Sequence, residues 1–139
     1  TTPVSRQPIK YASDRNTVLV IDDEASAREL LKKRLEAEGC SVLLAKSGAE
    51  GLALAAEHVP ALITLDVMMP GMDGPTTLQE IRKLDGLADI PVFFMTAKVQ
   101  PKEVDYYKEL GAIDVIAKPF DPMTLSDQIR DIWEKHYAG

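Results

Sequence analysis

The feature that most limits the fold is an alternation, starting at Thr17, of short apolar runs with longer amphipathic stretches. The runs are 17–21 (TVLVI), 42–45 (VLLA), 61–65 (ALITL), 92–95 (VFFM) and 115–117 (VIA). Each is short, bounded by turn residues and partly β-branched or aromatic, which predicts a strand. The first, third and fourth are apolar throughout or nearly so, as strands covered on both faces require. The second is flanked by polar residues and suits a sheet edge. Between them, Ala27, Leu30, Leu31, Arg34 and Leu35 recur at helical spacing, with Gly39 as a stop. Leu52, Ala55, Ala56 and Val59 predict a second helix, entered near Ser47-Gly48 and ended by Pro60. Leu78, Ile81 and Leu84 mark a third, and Val104, Tyr107 and Leu110 a fourth closed by Gly111. Leu125, Ile129, Ile132 and Trp133 mark a fifth after Pro122. Parallel strands joined by right-handed helical crossovers give an α/β three-layer sandwich with helices on both faces.

One domain over 17–137 accounts for nearly all of the 139 residues. Residues 1–16 are polar, carry two prolines and show no periodicity, which predicts an irregular tail; 138–139 form a short C-terminal tail. No signal-type leader is visible, and Thr1 in place of Met points to a processed or cut start. No apolar run approaches the roughly 18–20 residues of a membrane span, so no membrane insertion is expected. Lys and Arg total 16 against 22 Asp and Glu, a net charge of −6 that opposes direct nucleic-acid contact. A single Cys40 excludes an internal disulfide and suits the cytoplasm; with only His58 and His136 it cannot build a four-ligand zinc site.

In such a sheet, ligands bind beyond the carboxyl ends of the strands, where the order of connection reverses. The first run is followed by Asp22-Asp23-Glu24, the third by Asp66, the fourth by Thr96-Ala97 and the fifth by Lys118-Pro119. Adjacent strands lie about 4.8 Å apart, so these side chains can meet. Two carboxylates about 4 Å apart repel by roughly 4 kcal/mol at an effective dielectric of 20. A proton or a cation must compensate, and oxygen-only ligands with room for water select Mg²⁺, with Mn²⁺ as a substitute. Lys118 adds a fixed positive charge and Thr96 a hydroxyl donor. This inventory describes a phosphoryl-accepting site with Asp66 as nucleophile, and its product is a labile acyl phosphate. The loop after Asp66, Val67-Met68-Met69-Pro70-Gly71-Met72-Asp73-Gly74, can bend back and offer the Met68 backbone oxygen to the metal; Gly71 and Gly74 are read as turn formers. The expected metal set is therefore Asp22, Asp23, Asp66 and the Met68 backbone oxygen. Taken singly, each acid suits a solvated strand-to-helix cap; the combination with Lys118 and Thr96 is what points to a site.

The chain resembles the receiver domain of bacterial two-component response regulators, a group that includes the chemotaxis regulator. The resemblance rests on VLVIDDE with Asp22-Asp23, LDVMMPGMDG with Asp66, FFMTAK with Thr96 and GAIDVIAKPF with Lys118 and Pro119, and spans about Asn16 to His136. It implies a flavodoxin-like sheet in the order 2-1-3-4-5. It also implies that Asp66 accepts phosphate from a histidine kinase or histidine phosphotransfer protein. Asp23 and the Met68 oxygen then ligate Mg²⁺, Asp22 acts mainly through water, and Lys118 contacts the phosphoryl group. The Thr96 hydroxyl moves toward that group in the switch, and binding of a downstream protein changes. Helix one and the loops around Asp66 are the expected docking face for the donor. The resemblance raises the expectation of a cis Lys118-Pro119 bond. One departure is Val115, where relatives often carry Tyr or Phe, so a ring-flip half of the switch is absent. Met68 and Lys98 flank the expected path of attacking water and are expected to set phosphate lifetime.

Three other readings compete. An aspartate-nucleophile phosphatase of the haloacid dehalogenase kind wants a second carboxylate two residues after the nucleophile, and here that residue is Met68. A flavin or dinucleotide binder wants G-x-G-x-x-G after the first strand, where acids stand instead. A receiver-like scaffold working without phosphorylation usually lacks one of the acids or the lysine, and all are present. The expected role is thus a phosphoacceptor signalling domain rather than an enzyme with a separate substrate. His58, His136 and Cys40 receive no role, and Phe93, Phe94 and Trp133 are assigned to the core.

Overall fold

The computed structural model of the protein describes residues 16–138, with side chains through His136. Residues 1–15 of the expected tail, and Gly139, lie outside the described residues. Asn16 already belongs to the domain, since its carbonyl accepts the Ser41 N–H at 2.9 Å. The elements run β1 (Thr17–Ile21), α1 (Ala25–Ala37), β2 (Ser41–Ala45), α2 (Gly48–His58), β3 (Leu62–Asp66), α3 (Gly74–Arg82), β4 (Val92–Thr96), α4 (Pro101–Glu109), β5 (Asp114–Ala117) and α5 (Pro122–Trp133). A π-helical turn, Glu134–Ala138, follows. The five strands form one parallel sheet in the order β2-β1-β3-β4-β5, as the motifs imply. No described helix is long and apolar enough to cross a membrane.

Local chemistry starts and stops the helices where the sequence places turn residues. Ser47 Oγ accepts the Glu50 N–H at 3.1 Å to open α2. Asp73 and Asp121 do the same for Thr76 and Thr124, at 2.9 Å each. Proline stands in the first turn of α3, α4 and α5, where its missing N–H costs no helical bond. Three apolar positions depart from the expected stripes, Ala56 on α2 being exposed. Leu30 is 57% exposed on α1, and Val59 leaves α2 in a left-handed conformation (φ 46°) with its side chain half in solvent. The reason is that Pro60 blocks helical continuation and Val59 must turn the chain.

Side-chain alternation along the strands divides the core in two. Leu19, Ile21, Ile63, Leu65, Val92, Phe94 and Val115 face the layer of α2, α3 and α4. Val18, Val20, Leu62, Phe93, Met95 and Ile116 face α1 and α5, where Trp133, Leu125 and Ile129 close the layer. An ionic cluster fastens that second layer: Glu38, 4% exposed, accepts Arg34 at 2.8 Å and Arg130 at 2.7 Å, and Arg34 also reaches Ser126 at 2.7 Å. Besides the terminal Asp66, one position in β3 breaks the apolar rule. Thr64 is fully buried and its hydroxyl has no hydrogen-bond partner among the described residues. Thr64→Val keeps the shape and removes the desolvated hydroxyl, so it should stabilise the fold by about 1 kcal/mol in urea unfolding. A loss of stability would mean the hydroxyl is satisfied.

Candidate functional site

The alternation that buries Val18 and Val20 on the α1–α5 side continues one step past β1 to Asp22. In the same way Leu62 and Thr64 lead to Asp66, and Ile116 leads to Lys118. Three chemistry-bearing side chains thus emerge on one face at one rim of the sheet. Backbone bonds hold the tips in register: Asp22 N–H donates to Ala45 O at 3.0 Å, Val67 N–H to Met95 O at 3.1 Å and Lys118 N–H to Thr96 O at 2.9 Å. Arg28 donates to the Asp22 carbonyl at 2.8 Å, and the Glu24 N–H to Asp22 Oδ1 at 2.9 Å, so the acidic turn is fixed from both sides. The Lys118-Pro119 bond is cis.

One oxygen from each of Asp22, Asp23 and Asp66 lies within 4.8 Å of the others, with Asp22 and Asp66 buried and Asp23 exposed. The Lys118 ammonium stands against them, 2.9 Å from Asp22 Oδ2 and 3.4 Å from Asp66 Oδ2. Its shortest contact is Glu24 Oε1 at 2.8 Å. Burial, then the neighbouring Asp22 charge and a hydrogen bond with Asp23, push the Asp66 carboxyl up to about 7 against the pull of Lys118. Burial works against the Lys118 charge, but bonds to Glu24 and Asp22 and the charges of Asp22 and Asp66 outweigh it and hold the ammonium above its ordinary value. The local balance is an excess of carboxylate, with an all-oxygen donor set and one ligand open to water. These residues fit a hard divalent cation.

Asp66 opens into a cleft of about 330 Å³ whose lining also includes Asp23, Met68, Thr96, Lys98 and Lys118. Thr96 reaches it from the other face, because it shares the parity of Val92 and Phe94. Its hydroxyl is buried and accepts the Lys98 N–H at 3.0 Å. Met68 is 69% exposed at the mouth. All the predicted side chains therefore gather in one place, and His58, His136 and Cys40 stand apart from the lining. Val115 lies buried in the α2–α4 core layer.

Two residues carry more than the sequence reading gave them. Glu24 is a direct partner of Lys118; the third acid of the DDE triplet was the available signal. Gly74 is no turn former by conformation. It opens α3 with its N–H on Val67 O at 2.9 Å, and a Cβ there would stand 2.7 Å from the Asp66 carbonyl oxygen. Gly71, by contrast, does turn the chain, at φ 77°.

Comparison with known proteins agrees with this fold. A family model described as the response regulator receiver domain matches residues 18–130. A probable transcriptional regulator ycf27 of Porphyra purpurea is 38% identical over 120 residues, covering 86% of this chain and 48% of that protein. The chemotaxis protein CheY4 of Vibrio cholerae superposes with a TM-score of 0.79 at 30% identity, over 84% of this chain and 97% of that one. The Borrelia burgdorferi CheX-CheY-BeF3-Mg complex gives a TM-score of 0.78 at 26% identity, over 90% of each chain. The chain spans about half the length of the curated relatives it matches. Those relatives are named as transcriptional regulators, one of them as DNA-binding, so the expectation of no direct nucleic-acid contact, drawn from net charge, is not supported by the comparisons. Sheet order, acidic rim and matched span converge, and the chain belongs to the response regulator receiver domain family of two-component signalling.

Proposed function

We propose that this domain is a phosphoacceptor in a two-component phosphorelay, acting in the cytoplasm. Asp66 takes a phosphoryl group from a phosphohistidine of a histidine kinase or phosphotransfer protein, and binding to a downstream protein changes as a result. The observation that carries the reading is the meeting of Asp22, Asp23 and Asp66 oxygens within 4.8 Å beside the Lys118 ammonium. A carboxylate oxygen of Asp66 attacks phosphorus, the bond from phosphorus to the donor imidazole nitrogen breaks, and that nitrogen keeps the electron pair and takes a proton. Asp22, Asp23, Asp66 and the Met68 backbone oxygen would hold Mg²⁺, which supplies positive charge for the equatorial phosphoryl oxygens when bound. Lys118 supplies the second positive charge, and the Thr96 hydroxyl donates to a phosphoryl oxygen after leaving the Lys98 N–H. Hydrolysis restores the aspartate, so the domain catalyses only its own modification and its removal.

Intact mass after incubation with Mg²⁺ and acetyl phosphate tests the proposal. Wild type gains a phosphate-sized mass and Asp66→Asn does not; equal gain in both would refute it. Phosphate lifetime gives a second readout. Met68 and Lys98 both line the mouth of the cleft, so Met68→Ala and Lys98→Ala should each change the dephosphorylation rate several-fold. Rates equal to wild type would exclude them from the water path.

A further inference from the structure

Lys118 has three acidic neighbours, and the shortest contact goes to the one that the proposed chemistry does not use. Glu24 Oε1 lies 2.8 Å from the ammonium, against 2.9 Å for Asp22 and 3.4 Å for Asp66. Local structure does not account for the placement of this side chain. Glu24 occupies the N-cap position of α1 with no side-chain bond to the helix amides. Glutamate is a poor cap there, and its extra methylene carries the carboxylate out to the lysine instead. The Glu24 side chain is 62% exposed, whereas that of Lys118 is 17% exposed. Glu24 and Lys118 together also stand between the acid cleft and a second hollow of about 490 Å³ floored by Ala27, Leu30, Pro119 and Phe120, since both residues line both spaces.

Resting on the phosphoacceptor reading, we propose that Glu24 is a positioning residue: it holds the Lys118 ammonium before phosphorylation and gives it up when a phosphoryl group arrives on Asp66. The ammonium cannot bond fully to a new anionic oxygen on Asp66 while it keeps its Glu24 contact. Glu24 therefore competes with the phosphoryl group for one cation. The competitor is solvent-exposed, so its hold is weak and readily exchanged. Wild type then binds a phosphoryl mimic less tightly than a variant in which the competitor is gone.

Beryllium fluoride with Mg²⁺ is the probe, titrated against wild type, Glu24→Gln and Glu24→Asp. Glu24→Gln removes the charge. Glu24→Asp keeps a negative charge at this chain position but shortens the side chain and favours capping α1, which withdraws the carboxylate from Lys118. Both variants should bind beryllium fluoride about two- to fivefold more tightly than wild type, the range of an exposed ion pair. A gain in Glu24→Gln with wild-type affinity in Glu24→Asp would show a field effect without contact and overturn the proposal. Unchanged or weaker binding in both would overturn it as well. The ¹⁵N-resolved signal of the Lys118 ammonium, read without any ligand, separates this idea from the phosphoacceptor reading. If none of the three proteins binds beryllium fluoride, the phosphoacceptor reading fails. An ammonium signal that shifts in both variants still supports the Glu24 contact, and one that does not move in either excludes it.

Discussion

Asp66→Asn should be more stable than wild type at pH 8 without divalent ions, by about 2 kcal/mol in denaturant unfolding, and the gain should vanish near pH 3.5. The sign follows from the direction of the perturbation. The native Asp66 carboxyl is pushed up to about 7 from its ordinary 3.8, mainly by burial. Between those values the unfolded chain has lost its proton while the native state keeps it, so stability declines as pH rises through that window. The penalty is fully present above about 7 and absent below 3.8, and the neutral amide never incurs it. The complete displacement corresponds to roughly 4 kcal/mol. The expected gain is smaller because Lys118 loses one of its partners in the variant. Mg²⁺ should narrow the difference, since an ion that binds the intact acidic set stabilises the native wild type by mass action. Equal stability of the two proteins across this pH range would mean that Asp66 is well solvated and that the acidic rim is not under electrostatic load.

Gly74→Ala should lower stability by about 2 to 3 kcal/mol and slow phosphoryl uptake at least tenfold. A Cβ at Gly74 meets the Asp66 carbonyl oxygen at 2.7 Å, the Val67 Cα at 2.8 Å and the Phe94 ring at 3.1 Å. The first two are backbone atoms, so relief requires the end of β3 to shift or the first turn of α3 to back away. Either movement displaces the segment that aims Asp66. Gly71→Ala provides the contrast. Its Cβ meets nothing within 4 Å, although its φ of 77° is left-handed. Only a conformational cost of about 1 to 2 kcal/mol is expected there. Urea unfolding and acetyl phosphate uptake of both variants check the pair. A Gly74→Ala protein as stable and as reactive as wild type would show that the close approach is easily relaxed.

The sheet and its helices were legible because burial on both faces writes itself into the chain as apolar runs, and amphipathic helices as 3.6-residue stripes. The rim was legible because each strand ends in a polar residue of distinct chemistry, and a parallel sheet brings all strand ends to one side. What escaped was set by contacts between distant segments. Glu24 and Lys118 are 94 residues apart, and the acidic triplet that holds Glu24 does not say which of its acids meets the lysine. Glu38 carries no motif that singles it out, yet it is buried between Arg34 and Arg130, the second from α5. Leu30 fits the helical stripe but projects beyond the edge of the layer, because the stripe gives the direction of a side chain and not the extent of what covers it. Gly74 belongs with these: its need for a missing side chain comes from the end of β3 folding against it, not from its own backbone angles.

Asp66 and Thr96 end neighbouring strands with opposite parity, one continuing the α1–α5 side and the other the α2–α4 side. Among the described residues, the packed middle of the sheet is an apolar partition interrupted by the buried Thr64 hydroxyl. Under the proposed function, a mark placed on Asp66 is felt by both helical layers because the border is where the two sides run out together. The effect of a phosphoryl group there has only to travel around the brim, a distance of one strand spacing, to reach the layer that the Asp66 side chain does not face.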